Sequence, residues 1–287
     1  MTVRKYDDWA RIIEHKIDAI LTDLRDHNGG VRPPVDLESM RGSFKIIAIE
    51  ERPMVPEAAT EATRGGFKIY LQSNFAGLPG TSSRFRFTLA HEFCHTFFYD
   101  LSADVPRRIH RAPVGEAVEA LCHRGAGLLL VPTPLLKSEI ESLGGQVTKN
   151  DVLDLAKRFQ VSVEVILRRL QEEVRSCAID RATILVGRLR DVTSRHILGA
   201  YYGPWILPYF QVPKYGIGFD KWLNGAADIQ EVLSGKGFRM QVAGGTIVGS
   251  SPCHISQDKF LMDISFHVLE QDGATGGLGL KAQTGSG

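Results

Sequence analysis

Cysteine is scarce in this sequence: four in 287 residues, Cys94, Cys122, Cys177 and Cys253, none of them in a C-x-x-C pair. That spacing excludes a disulfide framework and a structural zinc knuckle, and it fits a reducing compartment. An excess of one charge sign is also missing. With 34 basic and 33 acidic residues the formal net charge is +1, so any DNA contact has to rest on a local basic face. No run reaches the ~18 apolar residues of a membrane span, and the opening MTVRKYDDWARII carries charges where a secretory leader needs an apolar stretch. A cytoplasmic location without a membrane partner is therefore expected. No segment repeats. What is present, 43% apolar and 23% charged residues, is the composition of a folded chain of two domains or three small ones.

Periodicity then divides the chain. Trp9, Ile12, Ile13, Ile17, Ile20 and Leu24 recur at helical spacing, predicting an amphipathic helix over 6–27 that Asn28-Gly29-Gly30 stops. A short helix over 37–41 follows Pro33-Pro34, then strands at 44–49 and 67–71 with a polar loop between them. A helix over 85–99 is expected after a loop spanning 74–83, and a buried helix over 116–130 after the arginine-rich loop 101–114. Residues 134–142, 150–159 and 162–173 read as a compact all-helical segment. From about 180 the runs 183–186, 238–248 and 260–268 are strand-like, with an amphipathic stretch near 221–234. The fold class is thus α+β, ending in a Gly/Ser/Thr-rich tail, 272–287, that reads as disordered.

The chemistry lies in Phe87-Thr88-Leu89-Ala90-His91-Glu92-Phe93-Cys94-His95, an H-E-x-x-H sequence within a predicted helix. Residues four apart share a helix face with Cβ atoms about 5–6 Å apart, so His91 and His95 can aim ring nitrogens at one Zn²⁺. Glu92 is turned about 100° along the helix. That offset sets it beside the metal as a general base for a water whose pKa the metal lowers. The competing reading, three ordinary polar positions on a half-buried helix, does not account for the spacing.

A catalytic zinc needs a third protein ligand and one open position. Candidates downstream are His110, Glu116, Glu119 and His123. A lone loop histidine such as His110 is more often plain surface. His123, one turn after Glu119, is either a hydrogen-bond partner to a ligand or substrate, or a satisfied core histidine. Tyr99, one turn beyond His95, is either a phenol donor to a developing oxyanion or a packing residue. Cys94 is near enough around the helix to approach the site, although free cysteines are mostly small core residues.

The run Arg86-Phe87-Thr88-Leu89-Ala90-His91-Glu92-Phe93-Cys94-His95 resembles the R-F-T-L-A-H-E-x-x-H signature of the ImmA/IrrE metallopeptidases. The segment Glu119-Ala120-Leu121-Cys122-His123-Arg124-Gly125-Ala126-Gly127-Leu128-Leu129-Leu130-Val131-Pro132 is similar to that family's second motif. Three positions depart from the pattern: Cys94 where glycine is usual, His123 where asparagine is usual, and Gly125 where phenylalanine is usual. The resemblance, which covers roughly residues 33–170, implies that Glu119 is the third metal ligand, with Glu116 as its competitor. With Glu119 the site reads as gluzincin-like, and the ligand chemistry admits Zn²⁺ with Mn²⁺ as the alternative ion. The resemblance further implies that the first domain, 1–132, is zincin-like. The helix, tight turn, helix pattern of 152–170 marks a helix-turn-helix-like segment over 133–178, and the strand-like runs mark an α+β domain over 179–271, compatible with the GAF-like sensor of some relatives.

In the helical segment Ser162 is a good cap for the second helix. Val163 and Val165 alternate there with Glu164, a poor surface for a DNA groove, while Arg168 and Arg169 can reach phosphates. Packing or substrate docking is favoured over DNA contact. The aromatic cluster Tyr201, Tyr202, Trp205, Tyr209 and Phe210 is a core by default and a ligand pocket as the alternative. Two functions follow. One is a zinc endopeptidase, whose substrate the resemblance implies to be a bacterial or phage helix-turn-helix transcriptional repressor, so that cutting it derepresses stress-response or mobile-element genes. The other is a regulator that keeps the peptidase fold but works by binding DNA or protein.

Overall fold

The computed structural model describes residues 3–28, 31–73, 82–144, 147–174, 181–187, 238–242, 245–249, 253–256 and 259–268. The amphipathic start forms α1 (Val3–Asn28), which buries Ile13 and Ile17. A single 3₁₀ turn, Glu38–Met40, leads to β1 (Ile46–Arg52), β2 (Ala58–Thr63) and β3 (Gly66–Gln72). The sheet order is β1-β3-β2, parallel for β1 with β3 and antiparallel for β2 with β3. β3 is central and alternates accordingly, burying Phe67, Ile69 and Leu71. Gly66 starts it because a Cβ there would lie 2.2 Å from the Lys45 carbonyl oxygen.

β2 is the strand that the sequence reading leaves as polar loop. Its Ala-Ala-Thr-Glu-Ala-Thr has neither β-branched alternation nor an apolar face, and β3 recruits it through a tight turn as an edge strand. The 44–49 strand, by contrast, is found two residues later, over 46–52.

Next comes α2 (Ser83–His95), capped by Ser82, whose hydroxyl accepts from the Phe85 amide at 3.0 Å. It ends four residues before the predicted limit. Thr96 bonds back to the Phe93 carbonyl at 2.7 Å, the turn tightens to 3₁₀ over Thr96–Phe98, and the chain continues as β4 (Tyr99–Asp100), paired with β5 (Arg107–Arg108).

α3 (Glu116–Leu130) runs as expected and packs on both α2 and α1. α4 (Thr133–Ser142), α5 (Lys149–Phe159) and α6 (Val163–Val174) follow at the expected places. A capping box between Thr148 and Asp151 starts α5, left-handed Gln160 (φ 53°) ends it, and the Ser162 hydroxyl accepts from the Val165 amide at 3.4 Å. One apolar core runs from Ala10 on α1 through Phe93 and Leu121 to Leu170 on α6.

α6 also corrects an expectation. Arg169 does not face phosphate: it is 1% exposed, its Nε donates to the Val131 carbonyl at 3.0 Å, and an Nη donates to the Thr133 hydroxyl at 2.7 Å. Its remaining nitrogen meets Glu172, so all three guanidinium nitrogens are engaged within the protein.

A second, antiparallel sheet contains β6 (Arg181–Gly187), β7 (Phe238–Val242), β8 (Gly245–Gly249), β9 (Cys253–Ser256) and β10 (Lys259–Val268). Its order is β6-β10-β8-β7, with β9 also on β10. The expected 238–248 run is thus two paired strands. The stretch near 221–234, the aromatic cluster at 201–210, Cys177 and the tail 272–287 lie outside the described residues. Among the described residues no helix is long and apolar enough to cross a membrane.

Candidate metal centre

α2 and α3 pack face to face, and the first turn of α3 comes to rest beside the last turn of α2. This brings His91, His95 and Glu119 together. The two Nε2 atoms are 3.1 Å apart, and Glu119 places one carboxylate oxygen 3.1 Å from His91 Nε2 and the other 3.8 Å from His95 Nε2. Glu116 is exposed on the same turn, and among the described residues no hydrogen bond or ion pair joins it to either histidine.

Burial holds the His91 imidazole down to about 4, reinforced by the charges of His95 and His123 and opposed by Glu119. Burial lowers His95 as well. Both rings are therefore neutral at pH 7, with lone pairs available. Two neutral imidazole nitrogens and a carboxylate converging on one point are acceptors short of hydrogens, a donor set that suits a divalent cation.

Glu92 is 6% exposed and points elsewhere, toward β2. The Thr60 hydroxyl lies 2.7 Å from its Oε2 and 3.1 Å from its main-chain oxygen. Burial pushes this carboxyl up to about 7, and the Thr60 hydrogen bond works against that rise. Thr60 is absent from the sequence reading, because nothing local marks a threonine 32 residues upstream as the partner of a buried acid.

Cys122 is the second addition. Fully buried, it groups its sulfur with the His91 and His95 nitrogens, all within 4.8 Å of one another. Its signal in the sequence is its position three residues after Glu119, on the same face of α3. Burial pushes the thiol up, so without a cation it stays protonated.

The remaining candidates separate. His123 is exposed, not a core residue. Its Nδ1 donates to the Glu119 carbonyl at 2.7 Å and its ring is 4.6 Å from that of His91. Tyr99 is on a strand rather than on the helix face, its ring edge-on to Phe67 at 5.2 Å. His110 is an exposed loop residue. Cys94 turns away from the histidines into the contact between helices: a Cβ built on Gly125 would fall 2.7 Å from its sulfur. Two departures from the motif pattern therefore explain each other. The larger residue at 94 occupies the space that a side chain at 125 would need.

Residues 80–171 match the family model of the IrrE N-terminal-like domain, Peptidase M78. Over 93 residues the chain is 33% identical to the radiation response metalloprotease IrrE of Deinococcus radiodurans, and over 92 residues it is 34% identical to that of Deinococcus deserti. These stretches are 31% of this chain and only 28% and 32% of the two relatives. A solved structure titled Mycobacterium tuberculosis transcriptional regulator aligns over 90% of this chain and 79% of its own at 14% identity, with a TM-score of 0.42, too weak a likeness to carry an argument.

Proposed function

From the match of residues 80–171 to the IrrE N-terminal-like domain we propose that the chain is a zinc-dependent endopeptidase of the ImmA/IrrE kind. Its substrate is a bacterial or phage helix-turn-helix repressor, and cutting it releases stress-response or mobile-element genes. The observation that carries the reading is the convergence of His91, His95 and Glu119 with a buried carboxylate, Glu92, alongside. The free thiols Cys94 and Cys122 support action in the cytoplasm, where they would stay reduced.

His91, His95 and Glu119 would hold the metal. Once bound, it supplies Lewis-acid polarisation of the scissile carbonyl and acidifies water at the site. Glu92 does the proton work. Thr60 occupies Oε2, so Oε1 is the atom that takes the proton from the attacking water and later passes it to the leaving amine. Burial raises the Glu92 carboxyl, which favours its taking up the proton in the first half of that transfer.

Burial of Val163, Val165 and Arg169 leaves α6 little surface for a DNA groove, which supports the peptidase over the DNA-binding alternative. The test uses purified zinc-loaded chain and the helix-turn-helix repressors encoded in the same genome. Cleavage that chelator abolishes and zinc restores is expected. If none of them is cut under loaded conditions, the substrate assignment is overturned.

A further inference from the structure

Next to the histidine pair is a cavity of about 330 Å³ that the chemistry above does not use. α2 lines it with Ser83 and Phe87, α3 with His123 and Gly127, and α6 with Val165 and Arg168. It adjoins the metal centre. Phe87 precedes His91 by one helical turn, and the His123 ring stands 5.7 Å from the Phe87 ring and 4.6 Å from the His91 ring. His123 is thus a wall common to both.

The floor is carbon. Gly127 presents bare backbone, and the position of its missing Cβ is 3.3 Å from Arg169 Cδ, so the arginine's methylenes are what lies there. The guanidinium is taken up by the Val131 carbonyl, Thr133 and Glu172, the last of which also lines the cavity. Arg84, Arg124, Glu164, Arg168, Arg169 and Glu172 also line the cavity, but most of the surface turned into it, with the Phe87 ring and Val165, is carbon. At about 330 Å³ the cavity is at the small end of ligand pockets, which run from ~300 to ~1,000 Å³. That size suits a single side chain better than a cofactor.

We propose that this cavity is a specificity subsite receiving one large apolar side chain, leucine, methionine or phenylalanine, from the peptide segment flanking the scissile bond. The proposal rests on the peptidase reading. It gives α6 a role in substrate selection, because the second helix of the helix-turn-helix-like pair forms one wall of the subsite. A methylene in such a pocket changes kcat/KM by ~10–200-fold, so large residues should outrank alanine at that one position by about tenfold or more.

The experiment profiles cleavage of a proteome-derived peptide library by the zinc-loaded full chain, with sites read by mass spectrometry. Ser83→Trp narrows the cavity from α2 and Gly127→Leu fills it from α3. Circular dichroism and zinc content check folding, and Ser83→Trp decides alone if Gly127→Leu does not fold. The ratio of large apolar to alanine at one flanking position should fall at least tenfold in the variants. A flat wild-type profile, or the same ratio in the variants, overturns the subsite. If the wild type cuts no peptide, the peptidase reading fails, and the cavity is judged by saturation-transfer NMR with N-acetyl-leucinamide. Saturation of the leucine methyls that Ser83→Trp abolishes supports an apolar side-chain site. No saturation, or saturation that survives Ser83→Trp, overturns it.

Discussion

Two glutamates at the centre differ in what they touch. Glu119 reaches both histidine nitrogens, whereas Glu92 reaches Thr60. Glu119→Ala should therefore lose metal, measured as bound zinc after gel filtration. Glu92→Gln should keep it while hydrolysis falls by about 10²–10⁴-fold, the usual contribution of a general base. Equal metal content in wild type and Glu119→Ala, with loss in Glu116→Ala, would transfer the ligand role one turn back. The Cys94 and Gly125 pair allows a second test. Gly125→Ala places a Cβ against the cysteine sulfur and should destabilise by about 1–3 kcal/mol, the usual cost of overpacking. In a Cys94→Ala background the clash with sulfur is gone and alanine's better helix propensity, ~1 kcal/mol, counts instead. The same substitution should then be close to neutral. Additive effects in thermal unfolding would mean that the two positions do not share space.

At the level of elements, the sequence was most legible where a helix carries its own signals. α3 is found at its full span, and α5 and α6 within a residue or so, because apolar periodicity and the Ser162 cap are local signals. His91, Glu92 and His95 were legible for the same reason, as their spacing alone sets their geometry. β2 was not, since its strand state comes from pairing with β3 and not from its residues. Thr60 and Cys122 were missed with it or beside it: each matters through a neighbour that the fold supplies. Arg169 was misread because a charged residue on a helix shows no sign in sequence of the carbonyl and hydroxyl that will cover it. β2 also yields its own prediction. Thr60→Val removes the hydroxyl that fixes Glu92 Oε2 while keeping the strand's shape. Turnover should fall ~10–100-fold, typical for losing an outer hydrogen-bond partner, with metal content unchanged. Thr60→Ser should restore most of it. If the serine variant is as impaired as valine, the hydroxyl is not the operative group.

For the whole molecule, the position of the metal centre has thermodynamic consequences. The residues that would hold the ion, His91, His95 and Glu119, are on α2 and α3, and the core behind them extends without a break to Ile13 on α1 and to Ile166 and Leu170 on α6. Arg169 strengthens that continuity by tying α6 to the end of α3 and the start of α4. An ion that binds only the assembled pair should therefore stabilise all of these helices together. With free zinc at about a thousand times its Kd the gain is ~4 kcal/mol, which for a folded unit of this size raises Tm by roughly 8–16 °C. Chelation should reverse the rise in the wild type and leave His91→Ala unmoved. Hydrogen exchange reports whether the unit is cooperative: zinc should slow the amides of α6 as well as those of α2 and α3, although α6 contributes no ligand. Protection confined to α2 and α3 would show that the helix-turn-helix-like pair opens independently. In that case α6 could not form a fixed wall beside the metal, and the substrate subsite assigned to it would lose its structural basis.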